Sequence, residues 1–297
     1  MNRISKDIRI LIRKALKEDI GSGDITTELL VPSSLRGRAQ IDLKSKGIFS
    51  GGLVAREVFL AVDTGLKVNQ TLRDGSRVSK PGKVMEIRGR ISSILKAERV
   101  ALNFLAHLSG IATLTNHFVR QAKGTRAKIF DTRKTTPLWR SLEKYAVRSG
   151  GGSNHRFGLW DEILVKDNHW QAIWHLLEKT HCRYFLDRLK KLKRSIPIEI
   201  EVDNLRGLKH LISGKIRVNR ILLDNFSIQD LKKAVAFVRR THPQLLLEAS
   251  GGISLKNVRQ VAKTGVDRIS IGALTQDRKS TRLNSSHSAK SRMPSSA

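Results

Sequence analysis

From Gly124 onward, short aliphatic segments alternate with segments of helical periodicity, and this rhythm constrains the fold more than any other feature of the chain. Near-continuous apolar strands joined by helices are typical of parallel sheets, because a crossover between parallel strands is long enough to hold a helix. The last four strand segments follow one another at intervals of 22, 24 and 23 residues, which favours a parallel αβ barrel over an open sheet. The predicted strands are AKIFDT from residue 127, EILVKDNH from 162, IPIEIEVD from 196, RILLDNF from 220, LLLEASGG from 245 and RISIGAL from 268. The helices predicted between them are Ser141–Val147, Gln171–Glu178, Leu205–Ser213, Ile228–Arg240 and Leu255–Lys263.

The first part of the chain lacks this rhythm and predicts a separate α+β sandwich domain. We therefore expect an N-terminal domain of residues 1–112 and a catalytic domain of residues 113–275, an irregular or incomplete αβ barrel. The elements expected in the N-terminal domain are a helix near 5–18, the turn-rich segment GSGDITTELLVP, strands near 39–43, 66–68 and 83–89, and a long helix with an apolar face from 92 to 122.

Charge limits the possible partners. The chain has 56 Lys+Arg against 26 Asp+Glu, a formal net charge of +30. Cationic surfaces attract phosphate backbones, but here the basic residues are scattered, and the densest run, residues 188–194, is expected to form a solvated helix face. The chain has only 2 Tyr and 4 Trp, which are not interleaved with the basic residues. The pattern disfavours a nucleic-acid function and favours attraction of anionic small molecules.

Cysteine usage and hydropathy indicate the compartment. The single cysteine, Cys182, cannot form an intramolecular disulfide, which favours a reducing cytoplasm. The first 24 residues have the pattern of an amphipathic helix and lack the apolar core of a secretory signal. No stretch approaches about 20 uninterrupted apolar residues, so no membrane-spanning helix is predicted.

Charged or small residues follow the carboxyl end of every predicted strand. In a parallel αβ barrel these ends converge on one mouth, where the active site lies. The early strands supply cations, the middle strands carboxylates, and the late strands small residues whose backbone N–H groups can approach an anion. The candidate residues are Asp131, Arg133, Lys134, His155, Arg156, Lys166, Asp167, Glu201, Asp203, Asp224, Ser250, Gly251, Gly252, Gly272 and Ala273.

This distribution of charge predicts the ligand chemistry. Cations gathered in one pocket imply a polyanionic ligand, because each like-charged pair about 4 Å apart costs about 4 kcal/mol at an effective dielectric constant of about 20. The carboxylates can hold Mg²⁺ on a pyrophosphate, accept hydrogen bonds from ribose hydroxyls, or stabilise positive charge developing on a sugar ring. Glu199 and Glu201 alternate along one predicted strand, so both face the same side and one can support the other.

Six segments at these strand ends resemble the quinolinate phosphoribosyltransferase family. They are DTRKTTP at 131–137, EKYAVRSGGGSNHRFGLWDEILVKDNH at 143–169, IEIEVDNL at 198–205, ILLDNF at 221–226, LEASGGIS at 247–254 and GVDRISIGALT at 265–275. The resemblance extends from about Ile8 to Thr275 and includes GSGDITTELLVP and ERVALNFLAHLSGIAT. It implies phosphoribosyl transfer from phosphoribosyl pyrophosphate to quinolinate with decarboxylation. The implied products are nicotinate mononucleotide, pyrophosphate and CO₂, in de novo NAD synthesis, and the implied cofactor is Mg²⁺.

The resemblance also implies roles for the cations. Arg133, Arg156 and Lys166, together with Lys134 and His155, match the family's pocket for the two carboxylates and the phosphates. The planar guanidinium groups suit carboxylates, which they can bind in a bidentate and oriented way. Lys166 is expected to be catalytic, near the departing carboxylate or a phosphate.

The remaining matches concern the sugar phosphate and a second subunit. Glu201 and Asp224 match acidic residues near the ribose and the metal-bound pyrophosphate, and they are expected to be catalytic and to reach Mg²⁺ only through the bound substrate. Ser250–Gly252 and Gly272 match the loop for the 5′-phosphate. Arg99 matches an arginine that family members lend to the neighbouring subunit's site, which implies a homodimer.

Two departures from the family pattern stand out. Leu138-Trp139 replaces the Gly-Leu pair that usually follows DTRKTTP, so the loop that bears Arg133 and Lys134 can take a different path. After Thr275 the family continues with a short apolar strand that completes the smaller domain, but here the chain ends in QDRKSTRLNSSHSAKSRMPSSA. This tail, residues 276–297, has five Lys+Arg, one acidic residue and almost no apolar side chains. We predict that it is disordered, cannot pack as a strand, and is translated vector sequence from about residue 277.

Two alternatives stay open on the sequence. A related phosphoribosyltransferase acting on another base, similar to paralogues in molybdenum operons, would share the phosphate loop, but a base with fewer carboxylates would not need so many cations. A basic nucleic-acid-binding protein would instead give a salt-dependent gel shift with DNA and no turnover of quinolinate.

Overall fold

The computed structural model describes residues 4–172, 188, 196–213, 218–276 and 285–287. The chain divides into two compact units. The first unit consists of Met1–Asn116, Thr135–Gly151 and Asp277–Ala297, and the second of His117–Lys134 and Gly152–Gln276. The sequence predicts a single boundary after residue 112, whereas in the structure the segment Thr135–Gly151 belongs to the first unit. The chain therefore crosses from one unit to the other more than once.

The helices and strands fall close to their predicted positions. The helices are α1 (Lys6–Ile20), α2 (Ile25–Leu30), α3 (Gly52–Val62), α4 (Ile91–Ala122), α5 (Arg140–Ser149), α6 (Leu205–Ser213), α7 (Ile228–Thr241), α8 (Val258–Ala262) and α9 (Ala273–Gln276). The strands are β1 (Arg36–Leu43), β2 (Gly47–Ile48), β3 (Lys67–Gln70), β4 (Arg77–Val78), β5 (Gly82–Arg90), β6 (Lys128–Phe130), β7 (Ile163–Val165), β8 (Ile198–Val202), β9 (Arg220–Asp224), β10 (Leu246–Ser250), β11 (Arg268–Ser270) and β12 (Ser285–His287).

The first unit is built on an antiparallel sheet with the strand order β12-β1-β5-β3. Helix α1 begins after Ser5, whose side-chain oxygen accepts the N–H of Ile8 at 3.3 Å. Its buried residues Ile8, Ile12 and Leu16 recur every four positions and form the apolar face that packs the helix into the core. The predicted α+β character of this part of the chain is therefore confirmed.

One segment of the first unit is more ordered than the sequence suggested. GSGDITTELLVP is predicted to be a run of turns, but its central residues form helix α2. The carboxylate of Asp24 accepts the N–H of Thr27 at 3.0 Å and so caps the first turn of this helix. The prediction was wrong because an aspartate before a helix start satisfies the N–H groups that otherwise make so short a helix unstable.

The tail also departs from the prediction. Ser285–His287 form β12, which pairs antiparallel with β1 through Ile41 and His287, Asp42 and Ser286, and Leu43 and Ser285. The prediction that the tail cannot pack as a strand is wrong for these three residues. An edge strand needs only backbone N–H and C=O groups for its pairing, so a polar sequence can occupy the free edge of β1. The other residues after 276 lie outside the described part of the chain, and the vector origin of the tail stays a prediction.

The second unit is a six-stranded sheet with the order β6-β11-β10-β9-β8-β7, and all five neighbouring pairs are parallel. All six predicted strands are confirmed, and so is the parallel sheet. Its central side chains Ile200, Ile221, Leu223, Leu247 and Ile269 are at most 1% exposed. The arrangement is that of an incomplete αβ barrel, and it brings the carboxyl ends of the strands to one edge.

The helices of the second unit agree with their predictions where they are described. The predicted helix at 205–213 is α6, and the one at 228–240 is α7, which begins after Ser227, whose hydroxyl accepts the N–H of Asp230 at 3.1 Å. The predicted helix from 255 to 263 is shorter, because the backbone turns between Ser254 and Asn257 before α8 begins. Most of the helix predicted at 171–178, the basic run 188–194 apart from Arg188, and Cys182 lie outside the described residues.

Among the described residues, no helix combines the length and the apolar character that a membrane crossing requires.

Candidate active site at the carboxyl ends of the parallel strands

A cavity of about 620 Å³ opens at the carboxyl ends of the parallel strands. Of the twelve residues to which the family resemblance assigned a role, eleven line it, although they come from positions 133 to 272 of the chain. They are Arg133, Lys134, His155, Arg156, Lys166, Glu201, Asp224, Ser250, Gly251, Gly252 and Gly272. The predicted convergence of the strand ends on one mouth is therefore observed in the second unit.

Cations crowd one side of the cavity. Arg133 and Lys134 follow β6, and Lys166 follows β7. Arg156 is buried, and its Nη1 donates a hydrogen bond to the backbone oxygen of Glu162 at 3.2 Å. Burial and the nearby charge of Arg133 lower the pKa of Arg156, since both disfavour a second positive charge there. An anionic ligand would relieve this repulsion.

Carboxylates occupy the middle of the rim. Glu201, at the end of β8, forms an ion pair of 2.9 Å with Lys166, whose side chain is 42% exposed. Asp224 ends β9, and its carboxylate accepts the side-chain N–H of Asn225 at 2.7 Å. The Glu201 side chain is 12% exposed, so water screens the pair mainly on the lysine side, and Lys166 can exchange this partner for a ligand. The rim therefore offers both charges to an incoming substrate.

Small residues line the late strands. Gly251 has a φ of +87°, and a Cβ atom there would lie 2.1 Å from the side-chain oxygen and 2.9 Å from the backbone nitrogen of Asn225. A Cβ on Gly272 would lie 3.0 Å from Cδ of Lys134. Thr275 donates its hydroxyl to the backbone oxygen of Lys134 at 2.7 Å and ties the loop after β6 to the turn after β11. Only residues without side chains leave this part of the cavity open to a bulky anion.

A layer of buried charges lies one step deeper along the strands. His155 Nε2 is 3.1 Å from a carboxylate oxygen of Glu199 and 3.2 Å from one of Glu248, and both glutamates are fully buried. Nε of Arg268 is 2.6 Å from the other oxygen of Glu248, and Arg220 is paired with Glu162 and lies 3.6 Å from Glu199. We call this set the buried ionic layer: His155, Glu162, Glu199, Arg220, Glu248 and Arg268.

The buried ionic layer changes the protonation of its members. Burial lowers the pKa of His155, but the hydrogen bonds and charges of Glu199 and Glu248 outweigh it and raise this pKa to about 9. Burial favours the neutral form of Glu248, but His155 and Arg268 outweigh it and lower its pKa. The backbone N–H of Arg156, 2.7 Å from Nδ1, opposes a proton there. The pKa of His155 is still raised, because two full charges at hydrogen-bond distance outweigh one neutral hydrogen bond.

Four predicted candidates do not line the cavity. Asp131 is fully buried and accepts the backbone N–H of His155 at 2.9 Å, and Asp167 is exposed after β7. Arg99 is exposed on α4, in the first unit, and does not line the cavity. Asp203 is exposed in the turn after β8 and does not line it either. The role predicted for Arg99, in the site of a second subunit, stays a prediction.

The sequence analysis missed several lining residues. The most informative is Asn225, which has a φ of +56°. Its side-chain N–H donates to the carboxylate of Asp224, and its backbone N–H donates to the backbone oxygen of Ser250 at 2.9 Å. An Asp-Asn pair directly after a strand is the signal that could have found it, because asparagine is the non-glycine residue that most readily takes positive φ. The missed lining residues are Thr132, Leu164, Leu222, Asn225, Ile253, Ser270, Ile271 and Gln276.

The loop after β6 carries Leu138-Trp139 where the family usually has a Gly-Leu pair. Leu138 is 82% exposed and has a φ of +67°, the left-handed conformation that the usual glycine adopts without strain. Trp139 stacks on Phe104 with ring centroids 4.7 Å apart. The loop thus keeps a glycine-like turn, and Arg133 and Lys134 still line the cavity.

Comparisons with known proteins show the family of this chain. Residues 24–109 match the family model of the quinolinate phosphoribosyl transferase N-terminal domain, and residues 111–283 match that of the C-terminal domain. The chain is 40% identical over 272 residues to the nicotinate-nucleotide pyrophosphorylase [carboxylating] of Mycobacterium leprae, covering 90% of this chain and 92% of that protein. It is 38% identical over 277 residues to the probable enzyme of the same name from Bacillus subtilis, covering 92% and 91%. The solved structure of the nicotinate-nucleotide pyrophosphorylase from Francisella tularensis superimposes with a TM-score of 0.85 at 37% identity, covering 97% of this chain and 98% of that one. This chain belongs to the quinolinate phosphoribosyl transferase family.

Proposed function

We propose that this protein transfers the phosphoribosyl group of phosphoribosyl pyrophosphate to quinolinate and releases pyrophosphate and CO₂, giving nicotinate mononucleotide for NAD synthesis. The observation that carries the proposal is the division of one cavity into three sides: crowded cations, two carboxylates, and a loop of small residues. The names of relatives at 38–40% identity over about nine tenths of the chain support the same reaction.

The cationic side suits a pyridine with two adjacent carboxylates. Arg133 and Arg156 can each hold a carboxylate with a planar pair of N–H groups, which fixes the orientation of the ring as well as its position. Burial and repulsion by Arg133 together lower the pKa of Arg156, and a dianion bound between the two guanidinium groups would offset the repulsion. Binding energy gained in this way places the pyridine nitrogen for its attack on C1 of the ribose.

The carboxylates suit the ribose. As pyrophosphate leaves, positive charge grows on the sugar ring, and Glu201 and Asp224 lie at the rim where they can oppose it. Lys166 is paired with Glu201 in the free protein and can turn toward a departing carboxylate or a phosphate, since its side chain is only half buried. Loss of the carboxylate next to a cationic pyridinium leaves a stabilised ylide, which takes up a proton to give the product.

The loop of small residues suits the 5′-phosphate. Ser250–Gly252 and Gly272 lie at the ends of neighbouring strands, and a Cβ atom built on Gly252 would meet nothing within 4 Å. Backbone N–H groups in such loops are common ligands of phosphate. We therefore expect the 5′-phosphate at this loop, next to Lys134, which approaches Gly272.

The donor set of the cavity fits Mg²⁺ bound mainly through the substrate. Glu201 and Asp224 offer hard carboxylate oxygens, which Mg²⁺ prefers, but two carboxylates on separate strands do not form a complete protein cage. When bound with pyrophosphate, Mg²⁺ would neutralise the charge of the leaving group. The protein's own part is to orient the sugar phosphate through Asp224, which Asn225 in turn orients.

We also propose a homodimer in which Arg99 serves the partner's site, and a cytoplasmic location. Exposed apolar side chains on α2 support association with a second copy: Ile25, Leu29 and Leu30 are 80%, 79% and 70% exposed. Large apolar side chains clustered on a surface mark contact sites. The single Cys182 supports a reducing compartment.

An assay of the purified protein tests the proposed function. We expect nicotinate mononucleotide and CO₂ from quinolinate, phosphoribosyl pyrophosphate and Mg²⁺. We expect little product when nicotinate replaces quinolinate, because its single carboxylate neutralises less of the positive charge in the pocket. Equal or better turnover of the monocarboxylate would contradict the proposed substrate. No turnover of either base, together with a salt-dependent gel shift with DNA, would favour the nucleic-acid alternative.

A further inference from the structure

His155 lines the cavity, yet its two ring nitrogens face the protein. Nε2 lies between Glu199 and Glu248, at 3.1 and 3.2 Å. Nδ1 lies 2.7 Å from the backbone nitrogen of Arg156. The backbone N–H of His155 donates to the carboxylate of Asp131 at 2.9 Å. Both ring nitrogens thus face protein groups, so neither points toward a ligand in the cavity.

The contacts of Arg156 extend from the same layer. Its backbone nitrogen meets the His155 ring, and its Nη1 donates to the backbone oxygen of Glu162 at 3.2 Å. The side chain of Glu162 is in turn paired with Arg220, which lies 3.6 Å from Glu199. Arg156 is therefore fixed at both ends, its backbone and its guanidinium, by residues that connect to the buried glutamates.

A metal ion is a poor occupant of this layer. His155, Glu162 and Glu199 place possible ligand atoms within 4.8 Å of one another. The guanidinium of Arg220, however, bonds to Glu162 and approaches Glu199, so a positive group already fills the position that an ion would take. The layer is better explained as a support for the cavity floor.

We propose that Glu199 and Glu248 are positioning residues that act through His155 to place Arg156 for the dicarboxylate, and that His155 does not bind the substrate through a ring nitrogen. This inference rests on the proposed function. The two glutamates lie on β8 and β10, one on each side of β9, so they can hold the imidazole from two directions. A carboxylate of the substrate needs the guanidinium of Arg156 within a few tenths of an ångström of its best place, and a ring held by two buried charges supplies that precision.

Kinetics of Glu199→Gln and Glu248→Gln test the inference. Each change keeps the shape of the side chain and removes its charge. We expect the KM for quinolinate to rise about tenfold or more, while the KM for phosphoribosyl pyrophosphate stays within about twofold and kcat falls less than the quinolinate KM rises. The matched control is Asp267→Asn, because Asp267 is also buried and paired with two arginines, Arg126 and Arg239, but precedes β11 and so lies at the amino ends of the strands, away from the cavity. Both KM values of the control should equal those of the wild type.

A double-mutant cycle separates positioning from direct binding. If the glutamates act through Arg156, combining Glu248→Gln with Arg156→Lys should raise the quinolinate KM little beyond the larger single effect. The inference would be overturned if the double variant raised the quinolinate KM by the product of the two single effects. It would also be overturned if Glu199→Gln and Glu248→Gln folded and kept the wild-type KM for quinolinate.

Variants of His155 keep the test decisive if a buried glutamine does not fold. The side-chain N–H of a glutamine can reach the position of Nε2, so His155→Gln should recover most of the quinolinate affinity that His155→Ala loses. A glutamine variant as poor as the alanine variant would overturn the inference. Absence of turnover in the wild type would instead refute the proposed function, which keeps the two failures apart.

Discussion

Glu199 and Glu201 are two residues apart on β8 and face the same side, but they belong to two different regions of the site. Glu201 is at the rim, paired with a half-exposed lysine. Glu199 is fully buried and shares His155 with Glu248. The rim and the buried ionic layer use the same residue types, so what differs is the depth at which the charges lie.

Depth decides what a charge can do. A rim charge such as Lys166, with 42% of its side chain exposed, keeps part of its hydration, so it can exchange partners with a substrate. A buried charge has lost its hydration and depends on its partners, so removing one partner leaves an uncompensated charge. The rim is therefore suited to chemistry, and the layer to fixing the groups that perform it.

The largest expected effect concerns activity at the rim. Arg133→Ala and Lys166→Ala should each lower kcat/KM about a hundredfold to a thousandfold, because each removes a cation that meets developing or bound negative charge. The melting temperature should change little, since Lys166 is half exposed. Steady-state kinetics and thermal unfolding of the same preparations measure both quantities.

Lys233→Ala is the control for the rim variants. Lys233 is an exposed lysine on α7, 3.6 Å from Asp230, and should keep full activity. Near-normal rates in both rim variants would refute the assignment of the site.

The next effect concerns stability in the buried ionic layer. Arg268→Ala leaves the fully buried Glu248 without its 2.6 Å partner and removes a guanidinium that lies 3.7 Å from the ring centre of Phe130. We expect a loss of about 3–5 kcal/mol in the free energy of unfolding, measured by urea denaturation. Arg9→Ala, which breaks an exposed pair of 2.7 Å with Glu57, should cost less than about 1 kcal/mol. Equal costs would mean that depth does not distinguish the two kinds of ion pair.

The pH dependence of stability is a second test of the difference between the rim charges and the buried ionic layer. The pKa of His155 is raised from 6.5 to about 9, so its stabilisation is fully present below pH 6.5 and is lost as the pH rises through 9. The upper bound of this loss is about 3 kcal/mol. The lowered pKa of Glu248 acts in the other direction, and its stabilisation is lost as the pH falls below 4.5.

Urea titrations at several pH values measure this dependence. We expect the free energy of unfolding to decline from pH 6.5 to pH 9 in the wild type and to decline less in Glu248→Gln. The imidazole signals of His155 in NMR should titrate well above pH 6.5. A His155 that titrates at or below its ordinary value would show that burial, and not the glutamates, decides its charge.

The sequence was sufficient to predict the rim but not the layer beneath it. Rim residues follow strand ends, and parallel strands bring those ends together whatever their neighbours are, so Lys166, Glu201 and Asp224 could be placed without coordinates. The alternation of Glu199 with Glu201 indicates a shared face, but a period of two does not tell how deep each side chain lies. The partners Arg220 and Arg268 depend on strand register, which pairs Glu199 with Arg220 and Glu248 with Arg268.

Local backbone chemistry accounts for the other differences. Helix α2 depends on one cap by Asp24, and β12 depends on the free edge of β1, features that composition and hydropathy do not report. The left-handed turn at Leu138 is imposed by the residues on either side of it, because leucine itself disfavours positive φ. In each case a tertiary or capping interaction outweighed the local preference.

The smallest expected effect comes from Leu138, which belongs to neither the rim nor the layer. Its φ of +67° costs a non-glycine residue about 1–2 kcal/mol, while the greater freedom of glycine in the unfolded chain costs about 0.4–1 kcal/mol. Leu138→Gly should therefore stabilise the protein by about 0.5–1 kcal/mol, and little packing is lost because the side chain is 82% exposed. Leu138→Ala keeps a Cβ atom and should leave stability nearly unchanged. Urea denaturation distinguishes the two variants, and a glycine variant less stable than the alanine variant would mean that the turn is not strained. Activity should be the same in both, which would separate backbone strain in the loop from the charges that perform the chemistry.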